Sequence, residues 1–281
     1  MHFRGILALD IDGTLTHRLD WIDPKVVEAL TRYAKEGWTI AFITGRAFSF
    51  VEKKILGFFP FPYLLGVQNG ADILSMPEKK LLNRSYFSGD IVPQIDRAYE
   101  GHPGDFIIYS GLDLGDFCYF RPERFSKQEL DYLKVLEELG GGPWKSSDFF
   151  FDSTQLFPQI KCFGKRAMIR SLFEELVLNE QIEICMLRDP IDPSLYLNLI
   201  TSPKANKGAA IQFLRRACNA DIVIAAGDDG NDLKMLREAD VSIAIETAPE
   251  EVKESADLIA KRPRELGILP ALEEAIRLAN R

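Results

Sequence analysis

Short apolar runs alternate with amphipathic segments at both ends of this chain, and that alternation confines the fold more than any other feature of the sequence. Residues 6–11 form a nearly unbroken apolar run, as in a strand buried on both faces. A helix is predicted next. Asp23 can cap its start, Pro24 suits its first turn and Gly37 its end, while Val26, Val27, Leu30, Tyr33 and Ala34 share one face. Residues 39–43 and 63–67 read as strands, with a helix over 47–56 between them. This order is that of a parallel sheet with covering helices. It returns late in the chain: a helix over 207–218, a strand over 222–226, a helix over 231–239, a strand over 241–245 and a closing helix over 266–280.

The middle breaks the rhythm. Residues 106–109, 117–120, 159–162, 182–186 and 195–200 read as strands, and 126–139 and 165–178 as helices. Strands that follow one another without a helix between them suggest a mostly antiparallel sheet with helices on one face. Residues 84–199 are therefore expected to form an inserted α+β domain between the core halves 1–83 and 200–281, with linkers near 82–88 and Pro203. A chain of 281 residues has room for two such domains. Gly140, Gly141 and Gly142 read as a loop.

Apolar residues make up 46% and charged residues 27%, which places the chain among folded globular proteins rather than disordered ones. Its net charge of −8 makes it a poor counterion for nucleic acid or an anionic membrane. An anionic substrate is still compatible, because a metal ion reverses the field inside one pocket. Cys118, Cys162, Cys185 and Cys218 contain no CxxC pair, so a zinc site or disulfide framework is not expected. They are expected to pack as small hydrophobes in a reducing compartment. The N-terminal apolar run ends in carboxylates, unlike a signal peptide, and no apolar stretch approaches roughly 18 residues. The expectation is a cytoplasmic protein without membrane or nucleic-acid partners, and both monomer and dimer fit the sequence.

The chemistry is written at strand ends. Asp10-Ile11-Asp12-Gly13-Thr14 follows the first strand directly. Side chains at i and i+2 of an extended chain point the same way, so Asp10 and Asp12 are expected to face one pocket at the carboxyl end of the strand. Gly13 allows a sharp turn that brings N–H groups near an anion. Two adjacent carboxylates repel, and a magnesium ion, which takes carboxylate oxygens, would compensate. Gly227-Asp228-Asp229-Gly230-Asn231-Asp232 repeats the pattern after the 222–226 strand. One acidic run alone would only cap a helix. Two at the ends of strands in one parallel sheet make a site for a hard cation. Thr44-Gly45-Arg46 offers a hydroxyl, a flexible glycine and a helix start able to hold phosphate oxygens. Lys207-Gly208 puts a cation at the helix end that the dipole disfavours.

Taken together and in this order, these four motifs resemble those of the haloacid dehalogenase superfamily. The length and strand pattern of the insertion resemble its type-two cap. Asn69-Gly70-Ala71 and Lys207-Gly208 resemble the Cof-type branch, which is similar to sucrose phosphatases and phosphomannomutases. The resemblance implies an α/β fold with a doubly wound, Rossmann-like core and an inserted α+β cap. It implies a magnesium-dependent phosphatase acting on a small phosphorylated metabolite such as a sugar phosphate, through an aspartyl-phosphate. Asp10 would be the nucleophile. Asp12 would protonate the leaving alcohol and then activate water, which requires a raised pKa. Magnesium would be held by Asp10, the Asp12 carbonyl and Asp228. Asp232 would orient Lys207 or a metal-bound water, and so counts with the metal residues. Thr44 and Lys207 would hold phosphoryl oxygens, and Gly13, Gly45, Arg46, Asn69 and Asn231 would complete the substrate site. Asp229 departs from the serine often found there in Cof proteins and leaves the metal shell open at that point.

A phosphosugar mutase with the same nucleophile is the competing reading, and a non-catalytic binding protein on the same scaffold is a third. Release of inorganic phosphate without a bisphosphate activator separates the first two. Arg121, Lys161 and Arg188 are candidate readers of the leaving group from the cap. His2, His17 and His102 show no ligand spacing, Phe149-Phe150-Phe151 reads as cap core, and Lys261-Arg262-Pro263-Arg264 as a solvated turn.

Overall fold

The computed structural model describes residues 4–280, so His2 lies outside the described residues. The chain divides into two compact units, one formed by residues 4–45, 54–84 and 206–280, the other by 46–53 and 85–205.

The first unit is built on an eight-stranded sheet. From one edge its order is Leu258–Ala260, Val241–Ile245, Val223–Gly227, Gly5–Leu9, Trp38–Ile43, Tyr63–Val67, Asp72–Met76 and Lys80–Arg84. The first six strands run parallel to one another, and the last two pairings, to Asp72–Met76 and on to Lys80–Arg84, are antiparallel. Every residue of Gly5–Leu9, Val223–Gly227 and Val241–Ile245 is buried, which is why these segments read as unbroken apolar runs. Helices Lys207–Cys218 and Leu233–Glu238 pack on the face carrying Ile6, Ala8, Ala41, Ile43, Val223 and Ala225. The alternate residues Leu7, Leu9, Ile40 and Phe42 are as deeply buried, so the sheet is covered on both faces, as a doubly wound core requires. Helix Pro24–Lys35 starts where the sequence indicates: the Asp23 carboxylate accepts the Lys25 N–H at 2.9 Å. The hairpin Asp72–Met76/Lys80–Arg84 and the edge strand Leu258–Ala260 were not expected.

From Gly5–Leu9 the chain first builds outward to one side of the sheet and later returns on the other. Ligands of open α/β sheets bind at such a switch, beyond the carboxyl ends of the strands. Leu9 stands opposite Ala226, and the Asp10 N–H donates to the Ala226 carbonyl at 3.0 Å. Sheet register alone therefore brings the two acidic motifs side by side.

The second unit holds a six-stranded sheet ordered Glu183–Arg188, Tyr196–Thr201, Gln159–Gly164, Phe106–Tyr109, Cys118–Phe120 and Lys145–Ser146, antiparallel except for the last pair. Helices Val92–Ala98 and Arg166–Leu176 pack with Phe106, Ile108, Ile160, Cys162 and Ile200. Helix Lys127–Leu139 packs with Ile107, Phe163, Leu197 and Leu199. Neighbouring strand residues face opposite sides, so helices cover both faces rather than one, which corrects the expectation. The reason is apolar: Ile107 and Phe163 need burial as much as Phe106 and Cys162 do. All four cysteines are free thiols, buried or half-buried. Among the described residues no helix is long and apolar enough to cross a membrane.

Candidate active site

The site is assembled at the carboxyl edge of the first unit's sheet. Asp10 follows Gly5–Leu9 and Asp228 follows Val223–Gly227. Oxygens of Asp10, Asp228 and Asp232 lie within 4.8 Å of one another. Lys207, the first residue of its helix and only 1% exposed, enters from the side. Its Nζ donates to Oδ1 of Asp10 and to Oδ1 of Asp232, each at 2.5 Å. The helix start that carries it is fixed by Asn206, whose Oδ1 accepts the Ala209 N–H at 2.9 Å.

Asp232 has a second task. Its Oδ2 accepts the N–H groups of Asp228 at 2.9 Å and Asp229 at 3.0 Å, which locks the turn presenting Asp228. With Oδ1 on Lys207 and Oδ2 on two amides, Asp232 acts as a clamp between the lysine and the acidic turn. The sequence grouped Asp232 with the metal residues, and it does stand within reach of Asp10 and Asp228, but its oxygens already have protein donors. Asp229 turns its Oδ1 to the Gly230 N–H at 2.7 Å.

Thr14, whose role was not read from the sequence, and Gly13, read there as a turn glycine, support this geometry. Thr14, fully buried, donates its hydroxyl to Oδ1 of Asp228 at 3.1 Å. Its place in the Asp-x-Asp-Gly-Thr run was the available signal. Gly13 adopts φ +78°, and a Cβ there would fall 2.0 Å from Oδ2 of Asp228. Glycine is thus required both for the turn and for the approach of the second carboxylate. The turn closes when the Gly13 N–H donates to the Thr16 carbonyl at 2.7 Å, and Asp12 bridges Thr16 beside it.

Burial governs the charges. It raises Asp10 to about 7, the nearby Lys207 ammonium opposing and Asp232 and Asp12 reinforcing the rise. Burial, then Asp10 and Asp232, push Asp228 well above the carboxylate range. Burial also raises Asp229 to about 6, against the Gly230 N–H. For Lys207, burial works against the ammonium, but Asp10 and Asp232 outweigh it and hold the lysine charged. One ammonium thus faces several carboxylates and cannot neutralise them. The donor set is all oxygen and short of positive charge, which fits a hard divalent cation.

Thr44 is fully buried at the end of Trp38–Ile43, its N–H on the Gly66 carbonyl at 2.9 Å. Its carbonyl accepts the Asn69 N–H at 2.8 Å, and Asn69, at φ +59°, accepts the Asn231 amide at 3.0 Å. These contacts tie together the Thr44, Asn69 and Asn231 positions singled out from the sequence. Helix Phe48–Lys54 begins too late for Thr44 to cap it. Arg46 groups with the second unit, buried, its guanidinium over the Phe50 ring at 4.3 Å.

The candidate cap readers have other partners. Arg121 forks onto Asp105 with two 2.7 Å bonds, reaches Asp96 at 2.5 Å and lies over the Phe149 ring at 4.3 Å. Lys161 Nζ donates to the Tyr132 hydroxyl at 2.9 Å, and that hydroxyl donates to Asp189. Arg188 is exposed and donates to the Pro193 carbonyl at 2.7 Å. Arg121 and Lys161 are internal ties of the second unit. His17 is exposed against Trp21, Phe149 lies in the second unit's core while Phe150 is 91% exposed, and Lys261 and Arg262 pair with Glu265.

A family profile described as haloacid dehalogenase-like hydrolase matches residues 7–272. A Haemophilus influenzae protein with a general phosphatase name is 38% identical, over 98% of each chain. A phosphoglycolate phosphatase of Methanobrevibacter smithii is 23% identical over 96% of this chain and 97% of its own. Among solved structures, a haloacid dehalogenase-like hydrolase from Bacteroides thetaiotaomicron superposes with a TM-score of 0.76 at 21% identity, covering 96% of this chain and 99% of that one. A sugar phosphatase of subclass IIB superposes at 0.74 with 20% identity, covering 96% and 98%.

Proposed function

Since this chain belongs to the haloacid dehalogenase-like hydrolase family and is a phosphatase, we propose that it hydrolyses a small phosphorylated metabolite, a sugar phosphate or a phosphorylated hydroxy acid, through an aspartyl-phosphate on Asp10 with magnesium bound beside it. The observation that carries this reading is the convergence of Asp10, Asp228, Asp232 and Lys207 at one strand edge. The two substrate classes are those named for a structural neighbour and a relative.

Asp10 Oδ attacks phosphorus, and the bond to the leaving alcohol breaks. Asp12, two residues on and half-buried, gives its proton to the departing oxygen. It then takes a proton from water, which attacks the phosphorus of the aspartyl-phosphate and releases inorganic phosphate and free Asp10. Thr44 and Lys207 hold the phosphoryl oxygens, helped by the Gly13 and Gly45 amides, Asn69 and Asn231. Asp10, the Asp12 carbonyl and Asp228 would hold magnesium, with Asp232 behind them keeping Lys207 and the turn in place. When bound, the cation offsets the carboxylate charge and screens the phosphoryl oxygens.

The test is turnover of p-nitrophenyl phosphate in magnesium without any bisphosphate, followed by a panel of phosphorylated sugars and hydroxy acids. Free phosphate should appear with wild type and vanish with Asp10→Asn. Turnover that depends on a bisphosphate would instead support a mutase. Turnover that survives Asp10→Asn removes the proposed nucleophile.

A further inference from the structure

Gly208 lacks a side chain where the fold has no room for one. It is the second residue of the Lys207–Cys218 helix and is buried. A Cβ there would lie 2.9 Å from Lys234 Cβ and 2.9 Å from the Lys234 carbonyl oxygen. That oxygen belongs to the backbone of helix Leu233–Glu238 and cannot rotate away, so one helix would have to move. From the other side, a Cβ on Gly70 would meet Ala210 Cβ at 2.8 Å. The first turn of the lysine helix is thus wedged between the Asn69-Gly70 turn and the helix that follows Asp232. Lys207 directly precedes Gly208, and Asp232 stands two residues before Lys234, so this contact lies behind the Lys207–Asp232 bond.

We propose that Gly208 is a positioning residue that sets the depth of the Lys207 ammonium between Asp10 and Asp232. The inference rests on the phosphatase reading, since it concerns where that ammonium meets a phosphoryl group. Ordinary contact begins at 3.4 Å, so a methyl group at 208 forces the helices apart by about half an ångström. Lys207 is enclosed along its length, so a shift of its helix is passed to the ammonium and strains its two 2.5 Å bonds to Asp10 and Asp232. A misplacement approaching 1 Å in such a site costs up to about 100-fold in rate.

The test compares wild type with Gly208→Ala in magnesium, by kcat and KM on p-nitrophenyl phosphate and by calorimetric affinity for inorganic phosphate. The variant should lose about 10- to 100-fold in kcat and bind phosphate more weakly. Repeated in a Lys207→Ala background, the substitution should weaken phosphate binding no further, because the group it acts through is gone. Ala210→Ser presses on the same turn from the Gly70 side and serves the same comparison where Gly208→Ala does not fold. Wild-type kcat and phosphate affinity in the folded variants, or an equal loss with and without Lys207, would overturn the inference. A wild-type protein that neither hydrolyses the ester nor binds phosphate would remove the phosphatase reading, and this inference with it.

Discussion

Replacing Lys207 with Met should destabilise the protein in a way that depends on pH. Lys207, Asp10 and Asp232 have side-chain exposures of 1%, 6% and 1%, and the ammonium is shared at 2.5 Å. Removing one partner from a buried ion pair costs roughly 3–5 kcal/mol, because the other charge stays buried and uncompensated. Against a total stability of about 5–15 kcal/mol, the variant folds but near its margin. Burial already lifts Asp10 from 3.8 to about 7 with the lysine present, and losing the lysine lifts it further. Wild type and variant both lose stability as pH rises from 3.8 to about 7, where each folded state keeps a proton that the unfolded chain has released; above about 7 the wild type releases that proton while the variant still holds it, so the deficit widens there. Lys207 itself is raised and stays charged throughout, so it adds no slope. Urea unfolding in chelator, followed by circular dichroism, should give a deficit of about 3–5 kcal/mol at pH 8, larger than the deficit at pH 5 by up to about 1.4 kcal/mol, the worth of the one pH unit above 7. An equal deficit at both pH values, or none at pH 8, would refute the electrostatic reasoning.

Thr14→Val removes the hydroxyl that holds Oδ1 of Asp228, and magnesium affinity measured by calorimetry should fall about 10-fold or more. Binding of magnesium must displace protons from the raised carboxyls of Asp10 and Asp228, so the thermal shift caused by magnesium should grow from pH 5.5 to pH 8. Arg121→Met leaves Asp105, 2% exposed, without its two bonds, and should lower the unfolding free energy by roughly 3–5 kcal/mol in urea titration.

Much of the core was legible because its strands are buried on both faces and its motifs sit at their ends. Lys207–Cys218 and Val241–Ile245 begin and end where their apolar periods do, and the register Leu9 to Ala226 completes what the two acidic runs implied. The Asp72–Met76/Lys80–Arg84 hairpin was hidden because its second strand is largely exposed and its buried Asp72 is paired with Arg84, at 2.7 Å, by folding. The resemblance already implied that Asp232 orients Lys207, but its hold on the Asp228 turn and the hydroxyl of Thr14 could not be assigned, since these partners are set by folding: Thr14 and Asp228 are 214 residues apart. The same holds for Arg121 and Lys161. A charge in a strand, such as Lys161, or just after one, such as Arg121, reads as a surface group until a distant carboxylate, Asp189 or Asp105, is found beside it.

The central claim is that Asp10 and Asp228 share one divalent cation. Titration of manganese followed by electron paramagnetic resonance, with magnesium as competitor, tests it directly. Wild type should bind one equivalent that magnesium displaces, and Asp228→Asn should lose it while remaining folded. Unchanged manganese affinity in that variant would contradict the account.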